Sequence, residues 1–325
     1  GCVLTFTDAR GGGDLDVYAY RLLADGTFLW GANGVALSNN SDYEANPRVV
    51  EADDGAFVFT WTEGGTASLQ LQRLDPAGTP QFAGDGVAIP GDAGALPGFV
   101  TIAAAQNGEV ILAWVRTISF SGNKHVHAQK FDAAGNAMWN GGTRLAVVDQ
   151  ASVPIAHQPK LIPDGQGGAL CAWHFAAGQL FSARVQWLSA NGTEAWAHNG
   201  VNVSASANSK FDPAMAWEPV SQSLRVFWNE RNLAQSSWGI FAQSLDAAGA
   251  PQWGPNGTTI LPIDTVTKFA PVAARFGSGA NAGALGAVLV ESLGALNDEV
   301  RAFALDAGGN VTWSTAASTF ASDKL

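Results

Sequence analysis

The sequence predicts an all-β chain assembled from six copies of one unit of about 57 residues. Three observations predict it. A turn glycine recurs at Gly26, Gly78, Gly135, Gly192, Gly249 and Gly309, at separations of 52, 57, 57, 57 and 60 residues. An aromatic follows each at a constant offset of four: Trp30, Phe82, Trp139, Trp196, Trp253 and Trp313. Before each turn, Tyr20, Gln72, Gln129, Gln186, Gln243 and Phe303 stand two residues ahead of Leu22, Leu74, Phe131, Leu188, Leu245 and Leu305. That alternation is the period-two signature of a strand with two unlike faces.

Each unit reads as four strands. The first follows a proline (Pro47, Pro97, Pro159, Pro213 or Pro271), a residue tolerated where a strand begins because no ladder donor is lost. An Asp/Asn/Gly cluster such as EADDG or PDGQGG then turns the chain into the second strand. This second strand is a short apolar run (CVLTFT, FVFTWT, ILAWV, ALCAWH, LRVFWN) of the kind buried on both faces. The third carries the glutamine and ends at the Asp-x-x-Gly turn. The fourth leads from the aromatic through Asn33 to Leu37, Asp85 to Ile89 or Asn199 to Val203. Four antiparallel strands per repeat of this length is the size of a β-propeller blade. The expectation is therefore one six-bladed propeller, with units at about 1–40, 41–95, 96–155, 156–211, 212–269 and 270–325.

The first unit departs from the pattern, since no proline-led strand precedes Cys2–Thr7. An unmatched sheet edge must be filled. The tail from Ser314 to Leu325 is the expected filler; a strand donated by another chain is the alternative, and it would build a polymer.

Composition narrows the function. Lys plus Arg number 17 against 28 Asp plus Glu, a net charge of −11, which disfavours nucleic acid and anionic membranes as partners. No apolar run has the length of a membrane span. The chain opens at Gly1-Cys2 without Met, as a processed product or a fragment does. Cys2 and Cys171 occupy nearly matching strand positions in units one and four, which would lie on opposite sides of a six-unit ring, so two free, buried thiols are expected.

The first unit, TFTDARGGGDLDVYAYRLLADGTFLWGANGVAL, resembles the repeat of a group of bacterial secreted propeller-like modules, W-x-D-x-R-x-G-x-x-D-I-Y-A-Q-R-x-D-x-x-G-x-x-x-W-G-x-x-G-V. Phe6, Asp8, Arg10, Asp16, Tyr18, Ala19, Arg21, Gly26, Trp30, Gly34 and Val35 fall in place, and the pattern fades through later units. The resemblance implies a propeller on a secreted or cell-surface protein and carries no catalytic residues. The Asp-x-x-Gly-x-x-x-Trp turn is also similar to the Asp-box hairpins of sialidase-like propellers, with a different spacing, so only turn chemistry is shared.

Repetition itself argues against catalysis. Asp75, Asp132, Asp246 and Asp306 are expected to cap their own turns, and the repeated tryptophans to pack. Among singular residues, His125, His127 and His157 lack acidic or cysteine partners at ligand spacing, so no metal is expected there. His174 reads as a strand-end histidine. Asp14 and Asp16, after a run of glycines, raise a calcium loop whose ligand rhythm is missing. No G-x-S-x-G, H-E-x-x-H or phosphate loop occurs.

The expected function is a non-catalytic extracellular binding or scaffold module, with a protein, a glycan or copies of itself as partner. The alternative is a carbohydrate-binding or carbohydrate-active propeller. Its candidate ligand-binding residues are Trp217 and Trp238, which break the repeat, with Asp8, Glu63 and Glu230, which follow equivalent strands.

Overall fold

The computed structural model describes residues 1–92, 94–275, 285–294 and 297–321. The first sheet orders β1 (Cys2–Asp8), β2 (Asp16–Leu22) and β3 (Val35–Ala36). The second orders β4 (Glu44–Glu51), β5 (Phe57–Glu63), β6 (Ser68–Leu74) and β7 (Val87–Pro90). The third orders β8 (Leu96–Ala104), β9 (Val110–Thr117), β10 (Lys124–Phe131) and β11 (Leu145–Val148). A fourth sheet contains β12 (Lys160–Pro163), β13 (Ala169–Ala177), β14 (Leu180–Leu188) and β15 (Val201–Asn202). The fifth orders β16 (Ser209–Glu218), β17 (Ser223–Arg231), β18 (Trp238–Leu245) and β19 (Thr258–Asp264). The sixth orders β20 (Thr267–Arg275), β21 (Leu285–Ser292), β22 (Asn297–Leu305) and β23 (Val311–Ala321). Among the described residues the only helical element is a 3-10 turn at Trp139–Gly142, so the chain is all-β.

The chain divides into two compact units, one of Gly1–Leu170 with Leu188–Glu194 and one of Cys171–Trp187 with Ala195–Leu325. In the first unit β5 is apolar on both faces and is buried on both. Phe57, Phe59 and Trp61 pack with Val17, Ala19 and Trp30, while Val58 joins Val100, Leu112 and Trp114 in a separate cluster with the third sheet. In the second unit, Phe227 and Ala242 pack on Ala287 and Leu305.

The repeated residues hold the turns and the spaces between sheets. All six turn glycines have φ between 77° and 90°, a region that excludes most side chains. Oδ1 of Asp75, Asp132 and Asp246 accepts two backbone N–H bonds each from its own turn. Each repeated glutamine clamps the chain at the aromatic. Gln129 accepts from the N–H of Trp139 at 2.9 Å and of Lys130 at 2.8 Å, and donates to the Trp139 carbonyl. Each indole then reaches the next copy: Trp30 donates to Pro76 O, Trp139 to Ala190 O, Trp196 to Ala247 O and Trp253 to Ala307 O, at 3.0 to 3.3 Å. The expectation that the tryptophans pack holds at Trp30, Trp139, Trp196 and Trp253, while Trp313 is 37% exposed.

Four expectations need correction. Strand β4 begins three residues before Pro47, and β16 and β20 begin four residues before Pro213 and Pro271; the prolines lie in bulges where the register shifts. A bulge leaves the residue unpaired, which suits proline as well as a strand start does. Residues 314–321 do not fill the first sheet, because β23 is the fourth strand of the sixth, pairing Trp313 with Ala304 and Ala321 with Asn297; residues 322–325 lie outside the described residues. Cys2 is exposed, whereas Cys171 is buried, and burial pushes its thiol up to about 12. Trp217 is buried rather than open to a ligand.

Candidate functional site

The acid placed two residues after the strand aromatic is the feature that chemistry had to be tested on. Each copy is tied into its own sheet. Glu230, at the end of β17, is 1% exposed. Its Oε1 accepts from Ser206 Oγ at 2.7 Å and Asn208 Nδ2 at 3.0 Å, and its Oε2 from Trp228 Nε1 at 2.9 Å. Glu63 accepts from Gln70 Nε2 and, at 3.4 Å, from Asn40 Nδ2. Asp8 is held by Arg10, whose side chain and backbone N–H keep its carboxyl below the usual carboxylate range. Arg10 donates in turn to Tyr20 Oη at 2.8 Å.

Sequence reasoning missed a fourth copy, Glu291, which pairs with Arg301 Nε at 2.6 Å. It also missed the residues opposite these acids on the preceding strand. Lys210 faces Glu230 and Lys268 faces Glu291, both lysines being buried. Lys210 Nζ donates to the carbonyls of Ser206 and Asn208, and Lys268 Nζ to those of Trp238 and Val266 and to the Asp264 carboxylate. The signal was present as a Lys three residues before the bulge proline, Lys210-x-x-Pro213 and Lys268-x-x-Pro271.

At that position the second sheet carries Glu44, directly opposite Glu63. Glu44 is fully buried. Burial pushes its carboxyl up to about 7, with the charges of Asp16 and Glu63 adding to the shift while Asn40 and Ser38 nearby oppose it. Asp16, 1% exposed with Oδ1 unpartnered, is likewise raised, by burial and then by Asp14. Glu44 thus faces Glu63 across the strands and feels the charge of Asp16, whereas Asp8 belongs to the Arg10 cluster.

Trp217 packs against Trp187 with ring centroids 5.1 Å apart and planes tilted by 54°, and Trp238, at the start of β18, is half-buried. Neither lines an open pocket among those described. His127 lies 4.0 Å from Asp92 with Arg116 and Arg144 about it, and burial brings it down to about 4. His174 packs edge-on against Phe181 and Phe211, and its Nδ1 accepts from the Asp212 N–H. Among the described residues no three His, Cys, Asp or Glu side chains converge as a preformed metal-ligand set. No described helix is long and apolar enough to cross a membrane.

Fold and site therefore define an all-β protein of repeated antiparallel sheets whose conspicuous acids are mostly structural. No family model and no curated protein matches the chain. Solved structures similar to it include a Hadza microbial sialidase (11% identity, 95% of this chain and 67% of that one, TM-score 0.47). Others are an α-L-arabinofuranosidase of Fusarium graminearum (12%, 84% and 80%, 0.44) and the Aleuria aurantia lectin with a bound fucoside (11%, 98% and 94%, 0.44). At such scores the likeness assigns no chemistry to this chain.

Proposed function

We propose that the chain is a six-bladed propeller module, non-catalytic and extracellular, that binds an extended segment of a protein partner along its first sheet. The observation that carries this is the outer edge of β1. In the second, third, fifth and sixth sheets a strand pairs there with the apolar strand; among the described residues β1 has none, and Leu4 and Phe6 on it are 47% and 36% exposed. An open edge presents a row of free N–H and C=O groups, and an added strand gains main-chain hydrogen bonds with pockets for alternate side chains. The acids do not support hydrolysis. The one carboxyl raised toward neutrality, as a glycosidase acid must be, is Glu44, and no substrate reaches a fully buried group.

The test is light scattering of the full chain across concentration, together with binding of a peptide of residues 209–218, the first strand of the fifth sheet. Concentration-dependent association or peptide binding, lost on Leu4→Lys, is expected. A chain monomeric throughout and indifferent to the peptide overturns the reading.

A second reading, glycan binding, rests on a cleft of about 410 Å³ in the second unit with both apolar and polar walls. It is lined by Glu218, Ser221, Ser223, Arg225 and Asp306, groups able to hold sugar hydroxyls. The Arg225 guanidinium lies 4.8 Å over the Trp253 ring. Glycan-array binding abolished by Arg225→Leu would favour this reading.

A further inference from the structure

The third sheet departs from the other copies on one face. Alternation along β9 and β10 puts Trp114 and Arg116 on that face with His125, His127, Gln129 and Phe131. Trp114 and Gln129 follow the repeat, standing where the second sheet has Trp61 and Gln72 and the fifth has Trp228 and Gln243. Arg116 does not: it takes the position of the acids Glu63, Glu230 and Glu291.

The turn into the fourth strand differs as well. In the second and fourth sheets that strand begins five residues after the repeated aromatic, at Val87 and Val201, each behind a glycine. In the third it begins six residues after Trp139, at Leu145, and the residue ahead of it is Arg144. A guanidinium thus stands where the other copies carry no side chain.

Both arginines turn to one acid. Arg116 Nε lies 2.6 Å from Oδ2 of Asp92, and Arg144 Nη1 lies 2.9 Å from Oδ1. Two positive charges therefore share one negative charge, in a chain whose net charge is −11. Each guanidinium carries five donors and is never deprotonated, so donors are left over. The fourth sheet shows a guanidinium satisfied from its own sheet, since Arg184, at the position of His127, donates to Asn202 Oδ1 and to the Asn199 carbonyl.

Arg144 also lines a cavity of about 240 Å³ where β7 meets the third sheet. Val87, Ile89, Trp114 and Phe131 give it apolar walls, and the Arg144 guanidinium lies 5.9 Å from the Trp114 ring centroid. Gln129 is there too, but its amide is committed to Trp139 and Lys130. One ionic donor on an apolar surface is the lining of a site that orients an apolar body by a single acid group.

We propose that this cavity binds a small carboxylic acid with an apolar body, its carboxylate on Arg144 and its ring or chain against Trp114, Phe131 and Val87. The planar fork of an arginine matches a carboxylate, and the ligand's charge balances the positive charge that Asp92 leaves over. The volume is that of about eight waters at ~30 Å³ each, room for one ring and its acid group. A sugar acid fits less well, because its hydroxyls would be desolvated against apolar walls without partners.

The experiment is titration of the full chain at neutral pH with sodium phenylacetate, phenylethanol and sodium glucuronate in turn, read by calorimetry and by thermal unfolding. One phenylacetate per chain and a rise in Tm are expected. The uncharged alcohol and the polar glucuronate should each bind weaker by about tenfold or more, the scale of one charge-assisted hydrogen bond. Arg144→Gln should bring phenylacetate down to the level of the alcohol while Asp92 keeps Arg116. Ala137→Trp, at an exposed position on the cavity lip, should block entry with both arginines in place. No heat and no Tm shift at millimolar phenylacetate overturns the proposal. The alcohol binding as tightly as the acid overturns the role of Arg144, glucuronate binding as tightly overturns the apolar body, and binding that survives both substitutions overturns the location.

Discussion

The indole Nε1 of Trp139 donates to the carbonyl of Ala190, 3.0 Å away, and the ring covers Gly192 so closely that a Cβ there would lie 2.5 Å from Trp139 Cγ. The aromatic of one copy and the turn of the next are therefore one joint, made again at Trp30 with Gly78, Trp196 with Gly249 and Trp253 with Gly309. The constant offset in the sequence is the trace of that joint.

This separates two roles of glycine at the same turn position. Gly26 and Gly192 have φ of 85° and 84°, yet a Cβ at Gly26 meets open space. Gly26→Ala should cost about 1 kcal/mol from backbone conformation alone. Gly192→Ala adds a clash with Trp139 and should cost roughly 2 to 4 kcal/mol. Urea unfolding of the two variants side by side measures the difference, and equal midpoints would contradict the joint.

Gln243→Leu should destabilise strongly despite gaining apolar surface. It strands the N–H of Ser244 and of Trp253 and the carbonyl of Gly254, all met by this one amide at 2.7 to 3.0 Å. Each buried group left unsatisfied costs about 1 to 3 kcal/mol. A loss below about 1 kcal/mol in equilibrium unfolding would mean that water replaces the amide.

Acid should destabilise the chain through His127. Its folded value of about 4 lies below the ordinary 6.5, so the unfolded chain binds a proton that the folded chain refuses. The contribution is intact above about pH 6.5 and is lost as pH falls toward 4, up to about 3 kcal/mol at 1.36 kcal/mol per pKa unit. His127→Phe should flatten the stability profile in that window.

Glu44 acts with the opposite sign. Its folded value of about 7 lies above the ordinary carboxyl value, so the folded chain holds a proton that the unfolded chain has released. This stability is present below about pH 4.5 and is lost as pH rises through 7, again about 3 kcal/mol. Comparing Glu44→Gln with the parent between pH 5 and 8 isolates the contribution, which should vanish in the variant.

Much of the architecture was legible because repeated local chemistry writes itself at a fixed spacing. The turn needs a residue at positive φ, the strand needs alternation, and the joint needs an aromatic four residues on, so Gly192, Gln186 and Trp196 all announce themselves. The prolines were legible as punctuation, but at Pro47, Pro213 and Pro271 the strand begins three or four residues earlier, since a bulge and a strand start demand the same thing of proline. Trp217 looked free because it breaks the repeat, yet its partner Trp187 also breaks it, and a non-repeated pair leaves no period to detect.

By itself the sequence determined the strand class, the repeat and the turn chemistry, all set by neighbours within a few residues along the chain. Only the tertiary structure decided which residues face each other across strands: that β23 completes the sixth sheet, and that Glu44 meets Glu63 where Lys210 meets Glu230. Charge balance in a buried site depends on distance through space, and residues 44 and 63 become neighbours only when the register between their strands is made.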